Sequence, residues 1–137
     1  MEIQISHDLN SSDAEKILDN LIDYNTKYVP DDYQPLVITA KDAGELRGGL
    51  LAKYYWQWLH IDIFWLHEDC RGAGLGSKIL ARAEQEAVNR GAHSATLDTF
   101  DFQALPFYQK QGYEIFGQLE GYGGKHSRYY LRKKLVK

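Results

Sequence analysis

Three glycines at alternate positions, Gly72, Gly74 and Gly76, fall within the run Arg71-Gly72-Ala73-Gly74-Leu75-Gly76-Ser77. The run stands where an extended apolar segment gives way to an amphipathic helical one. At a helix start the first N–H groups lack intrahelical partners and the macrodipole is positive, so backbone donors alone can hold a phosphate. Glycines remove the side chains that would block its approach. The spacing excludes two phosphate motifs. A P-loop needs Gly-x-x-x-x-Gly-Lys-Ser/Thr, but Gly76 is followed by Ser77-Lys78 and no glycine stands five positions before it. A dinucleotide fingerprint needs Gly-x-Gly-x-x-Gly, but Ser77 occupies the third place after Gly72 and Gly74. What remains is Arg-x-x-Gly-x-Gly, carried by Arg71, Gly74 and Gly76.

Proton chemistry has its candidates upstream. His60 and Asp62 are expected on one face of an extended segment, opposite Leu59, Ile61 and Ile63. The ordinary pKa of imidazole lies near neutrality, which suits His60 to accept a proton. Acids at Asp31, Asp32, Asp62, Glu68 and Asp101 can draw in an ammonium group, and Tyr54, Tyr55, Trp56 and Trp58 can stack on it. A solvated acidic surface over core aromatics would give the same pattern.

These groups need a scaffold. Residues 3–5 alternate as a first strand, and Asn10, Ser11, Ser12 and Asp13 offer N-caps to a helix carrying Ala14, Ile17, Leu18, Leu21 and Ile22, which fades near Tyr28. Pro30, Asp31, Asp32 and Pro35 make a loop. Residues 36–40 and 46–55 form a hairpin around Gly44, and residues 59–67 a further strand. Leu75, Ile79, Leu80, Ala83, Ala87 and Val88 share a helical stripe that Gly91 ends. A strand over 94–100, a short helix over 103–111 ended by Gly112, and strands over 113–118 and 128–135 complete the order. Strands and helices interleaved in this way indicate a mixed α/β sheet with helices on its faces.

The chain has 137 residues, 44% hydrophobic and 26% charged, the size and balance of one globular domain, residues 1–137. Its net charge of −3 argues against a nucleic-acid partner held by phosphate contacts. The basic tail over residues 125–137, with six Lys or Arg, reads as a strand with a solvated face. A single cysteine, Cys70, allows neither an internal disulfide nor a cysteine metal site, and no metal is expected. No run has the length of a membrane span and the first residues lack a signal pattern. The expected setting is the cytoplasm, with no membrane partner.

Arg71, Gly74 and Gly76, between residues 66–70 and the following helix, resemble the pyrophosphate-binding motif of the GNAT family, whose pattern is Arg or Gln-x-x-Gly-x-Gly or Ala. A second stretch, Ala104-Leu105-Pro106-Phe107-Tyr108-Gln109-Lys110-Gln111-Gly112-Tyr113, resembles the family's Ala-x-x-Phe-Tyr-x-x-x-Gly-Phe segment. The two motifs lie in the C-terminal two thirds.

The resemblance implies a GNAT-like acyl-CoA N-acyltransferase fold with a mostly antiparallel sheet. It implies acetyl-CoA as co-substrate and an acetyltransferase acting on a primary amine by direct attack in a ternary complex. Coenzyme contacts would come from Arg71, Gly72, Ala73, Gly74, Leu75, Gly76 and Ser77, from backbone N–H groups of Trp65, Leu66 and His67, and from Gln103 and Lys110. Tyr108 matches the tyrosine beside the coenzyme sulfur and would act as the acid. His60 with Asp62, or a water relay, would act as the base. Where the family has an asparagine three places before Ala104, this chain has Asp101, so Gln103 would supply the amide instead. The acceptor would be a small-molecule or peptide amine such as a polyamine, an aminoglycoside-like amine, an amino acid or a protein lysine, and the protein a possible homodimer. A coenzyme A-binding sensor of the same fold that has lost turnover is the alternative, and a nicotinamide or flavin oxidoreductase is disfavoured by the glycine spacing.

Overall fold

The computed structural model describes all residues, 1–137. The chain divides into two compact units, Met1–Asp32 and Tyr33–Lys137.

The first unit holds one helix, α1 (Ser12–Asn25). Of the four cap candidates Ser11 takes the place, its hydroxyl accepting from the Ala14 N–H at 3.2 Å. Residues 3–5, expected as a strand, are exposed and without regular structure. Their alternation is too short to form a strand without a neighbour, and no strand pairs with them.

The second unit is a six-stranded sheet with two helices. Its elements are β1 (Gln34–Asp42), β2 (Glu45–Tyr55), β3 (Trp58–Leu66), α2 (Leu75–Asn89), β4 (Ser94–Phe100), α3 (Leu105–Lys110), β5 (Glu114–Tyr122) and β6 (His126–Lys134). The strand order is β1-β2-β3-β4-β6-β5. Every pairing is antiparallel except β3 with β4, the connection that must cross over through α2. The expected mixed, mostly antiparallel sheet with flanking helices is therefore present.

Two-residue turns join the first three strands. Ala43-Gly44 and Trp56-Gln57 both have positive φ at each residue, at 51° and 81° and at 50° and 66°. That is the twist a tight hairpin requires. The second turn uses two side-chain-bearing residues, so no glycine marks it in the sequence.

The core lies on one sheet face. Leu50, Leu59, Ile61, Ala95, Leu97 and Leu131 from the strands pack against Ile79, Leu80, Ala83 and Ala87 of α2 and Tyr108 of α3. The stripe read from the sequence is the buried stripe of α2.

Along β3 the alternation breaks. Pairing with β2 passes from Ala52↔Ile61 to Leu51↔Ile63, leaving Asp62 as an extra residue in a bulge. A one-residue insertion moves every later side chain to the other face. Ile63 and Trp65, at 57% and 44% exposure, therefore leave the core, while Phe64 and Leu66 pack against it. The expectation that Ile63 shares a face with Leu59 and Ile61 fails for this reason.

Candidate functional site

The β3–β4 pairing ends at Ile61↔Leu97, although β3 continues to Leu66 and β4 to Phe100. Beyond that point the strands part, and a cleft of about 810 Å³ opens between them. Its walls come from β3 beyond the bulge, the glycine turn and start of α2, the end of β4 with the loop after it, and α3.

The parted edge of β3 carries backbone donors. The His67 N–H is occupied, donating to the Arg47 carbonyl at 2.7 Å. N–H groups alternate in direction along an antiparallel ladder, so Trp65 also points toward β2 while Leu66 and Phe64 point toward the gap. Of Trp65, Leu66 and His67, only Leu66 can offer its N–H to the cleft, and Phe64 joins it. The His67 side chain is engaged as well, its Nδ1 accepting from the Asp69 N–H at 3.1 Å.

At the glycine turn, α2 begins at Leu75 after Gly74, which has φ of 84° and provides no side-chain cap. A Cβ at Gly72 or Gly74 would meet nothing within 4 Å, so these positions leave open space beside the uncapped N–H groups. Gly76 differs. A Cβ there would stand 3.3 Å from both the Leu66 and Phe107 side chains, so this glycine lets α2 pack closely on β3 and α3. Arg71, Gly72, Gly74, Gly76 and Ser77 line the cleft. Ala73 and Leu75 belong to the same turn but do not contribute to the wall. Lys110 is exposed at the end of α3 and also lies outside it.

Tyr108 lines the opposite wall, 7% exposed. Its ring meets Phe64, Phe107 and Tyr113 edge-on. Burial, with the negative charge of Asp98 adding to it, pushes its hydroxyl up to about 12, so the phenol keeps its proton at neutral pH. Two ties fix α3, which is too short to hold itself. Gln111 Nε2 donates to Ser77 Oγ at 3.0 Å, joining the end of α3 to the first turn of α2. Tyr113 donates its hydroxyl to Glu84 at 2.7 Å, and Lys133 Nζ reaches both Glu84 oxygens at 2.9 and 3.1 Å. Burial and the Glu84 carboxylate together hold the Tyr113 phenol protonated far above the usual range.

After β4, the Gln103 Oε1 accepts from the Phe100 N–H at 2.9 Å and from Thr99 Oγ1 at 3.1 Å. Its Nε2 remains for the cleft. Asp101 is committed elsewhere. Its carboxylate accepts from the Ser127 N–H at 2.9 Å and pairs with His126 at 2.8 Å. The backbone bond from Ser127, then the His126 contact, hold its carboxyl below the usual range.

His60 is not part of the cleft wall. Its ring stacks on Tyr55, with centroids 4.7 Å apart and planes 4° from parallel. Burial, then the Lys53 charge, lower its pKa against an opposing pull from Asp62. Asp62 does line the cleft and pairs with Lys53 at 3.4 Å. Of the residues on the wall, Asp98, Phe64 and Phe102 were not singled out from the sequence, and Phe107 entered only as part of the Ala-x-x-Phe-Tyr stretch. The charge of Asp98 at the end of an alternating strand was the one legible signal. No group of three or more His, Cys, Asp or Glu converges as a metal site, and no helix is long and apolar enough to cross a membrane.

The model of the Acetyltransferase (GNAT) family matches residues 4–113. Blasticidin-S acetyltransferase of Streptomyces morookaense is 42% identical over 95 residues, covering 69% of this chain and 70% of that protein. The crystal structure of an acetyltransferase from Bacillus cereus superposes with a TM-score of 0.87 at 30% identity, covering 98% of this chain and 97% of that one. An aminoglycoside 6'-N-acetyltransferase complexed with coenzyme A shares the fold, with a TM-score of 0.69 at 18% identity and 97% of each chain covered. An uncapped helix start, parted strands and a buried tyrosine in one cleft are thus found in a chain that belongs to the GNAT family and is an acetyltransferase.

Proposed function

We propose that residues 1–137 act as one N-acetyltransferase domain that moves an acetyl group from acetyl-CoA to a primary amine of a small cationic molecule, by direct attack with both substrates bound. The observation that carries this reading is that the uncapped N-terminus of α2, the parted edge of β3 and Tyr108 line a single cleft. Acetyl-CoA supplies the activated thioester. The free N–H groups at the start of α2 suit its pyrophosphate, with Arg71 beside them. The N–H groups of Phe64 and Leu66 face the gap, where a thioester oxygen gains negative charge during attack. An aminoglycoside enzyme of the same fold is complexed with coenzyme A, and a relative is named for blasticidin S. The relative named for blasticidin S favours a small-molecule amine over a protein lysine.

Tyr108 serves as a hydrogen-bond donor to the departing sulfur. A thiol has an ordinary pKa of about 8.5, well below that of the Tyr108 hydroxyl at about 12. Complete transfer of the phenolic proton to the thiolate is therefore uphill. The hydroxyl stabilises the developing charge without ionising, and the proton lost by the attacking nitrogen passes through water to the departing sulfur, which leaves as the free thiol. His60 is assigned no direct contact with the reacting atoms, because its ring is stacked on Tyr55 and does not line the cleft.

Thiol release from acetyl-CoA, followed across blasticidin S, aminoglycosides, polyamines, amino acids and a lysine peptide, tests the reading. Release is expected with a cationic small molecule. Binding of acetyl-CoA with no amine-dependent release anywhere in the panel would defeat it.

A further inference from the structure

The last paired residues of β3 and β4 are Ile61 and Leu97, and the next residue on each strand is an acid, Asp62 and Asp98. Both line the cleft, but they are held differently. Asp62 is a bulge residue, half exposed and paired at 3.4 Å with the flexible Lys53 side chain. Asp98 receives a bond from Arg128 Nε to its Oδ1 at 2.9 Å. The guanidinium is itself fixed among Phe100, Tyr122 and Tyr130, at 5.1–5.7 Å from each ring, and Nη1 donates to the Tyr122 hydroxyl at 3.3 Å. A planar guanidinium held among three aromatic rings makes this a rigid support. It engages one carboxylate oxygen and leaves Oδ2 with no protein partner.

The direction of that carboxylate follows from the strand. Leu97, 5% exposed, packs in the core cluster with Ile79, Leu80, Ala83 and Ala87 of α2. Asp98 alternates to the opposite face. It therefore stands across the parted strands from the glycine turn, yet close enough to Tyr108 for its charge to act on the phenol.

We propose that Asp98 is the group that receives the acceptor, its Oδ2 accepting an N–H bond from a small cationic amine, and that Arg128 is the positioning residue that fixes this carboxylate. This inference rests on the acetyltransferase reading of the cleft and names the acceptor contact within it. Because Arg128 balances the charge of Asp98, the pair acts at contact through a directed lone pair more than by attraction at a distance. An α-amino acid would bring its own carboxylate against Asp98. The favoured class is therefore amines without a neighbouring carboxylate, such as aminoglycosides, polyamines and cationic antibiotics.

The test is calorimetric titration of blasticidin S, kanamycin and spermidine into the protein saturated with coenzyme A, where binding is read without turnover. At least one is expected to bind saturably. Asp98→Asn, which keeps the shape and an acceptor for Arg128, should weaken that binding by about tenfold to 100-fold and leave coenzyme A affinity unchanged. Arg128→Lys, a second variant that retains the charge but loses the fixed geometry, should raise the KM for the amine and leave that for acetyl-CoA unaltered. Equal amine affinity in the native protein and Asp98→Asn would overturn the proposal, as would no saturable binding of any of the three to the native protein. A protein that binds amine through Asp98 but never releases thiol from acetyl-CoA would defeat the acetyltransferase reading while leaving the Asp98 assignment in place.

Discussion

Tyr108 sits inside the core, and its surroundings define what it could contribute in the proposed reaction. Burial and the charge of Asp98 raise its hydroxyl to about 12, so the phenol loses its proton later than a free tyrosine would, and the donor persists through the whole physiological range. The kcat profile should therefore show no alkaline fall from this group up to about pH 10, where an unperturbed tyrosine would already be half ionised. Tyr108→Phe should lower kcat by about 100-fold with acetyl-CoA affinity little changed, the usual order for a positioned proton donor. Steady-state rates beside a binding titration separate the two quantities. His60 gives the opposite expectation. Burial, then Lys53, holds its pKa below the ordinary imidazole value, which favours the neutral ring, but the ring is stacked on Tyr55 and does not line the cleft. His60→Gln should keep kcat/KM within about threefold of the native value, since nothing in contact with substrate is removed. A drop of two orders of magnitude would return the base role to it. The sequence offered both residues as candidates, but only packing separates a side chain that lines the cleft from one that does not.

The glycine turn and α3 are held in mutual register by side chains distant in the chain. Ser77 with Gln111, and Glu84 with Tyr113 and Lys133, tie the start and middle of α2 to the end of α3 and to β6. Glu84 and Lys133 are mostly buried, at 16% and 25% side-chain exposure. Removing the carboxylate leaves a cation and a phenol without their partner. Glu84→Ala should therefore cost about 3 kcal/mol of stability, read as a lower denaturant midpoint with unchanged slope. The helices themselves were legible, because the stripe of α2 and the glycines at both of its ends are local patterns. The ties were not, since Glu84 reads as an ordinary helix acid until Tyr113 and Lys133 are folded against it. The bulge at Asp62 was hidden for a related reason. Leu59, Ile61 and Ile63 alternate perfectly in sequence, and only pairing with β2 reveals the inserted residue. The Trp56-Gln57 turn likewise lacks the glycine by which the Ala43-Gly44 turn could be recognised.

The cleft exists because the sheet is paired on one side of Ile61 and Leu97 and open on the other. Each wall is contributed by a different stretch of chain. The contiguous walls, the glycine turn and α3, carry the family's motifs and were read directly from residues 71–77 and 104–113. Asp98 and Phe64 could not be assigned that way, because their role depends on the parting of two strands some 35 residues apart. The proposed binding of the coenzyme pyrophosphate at the α2 N-terminus underlies the other assignments. Its most direct test is calorimetric titration of the native protein and Gly74→Glu with acetyl-CoA and with acetyl-pantetheine, which lacks the pyrophosphate. Gly74→Glu sets an anion in the open space beside the uncapped N–H groups. It should weaken acetyl-CoA binding by at least about 100-fold and leave acetyl-pantetheine binding at the native level. Unchanged acetyl-CoA affinity, or an equal loss for both ligands, would contradict the account.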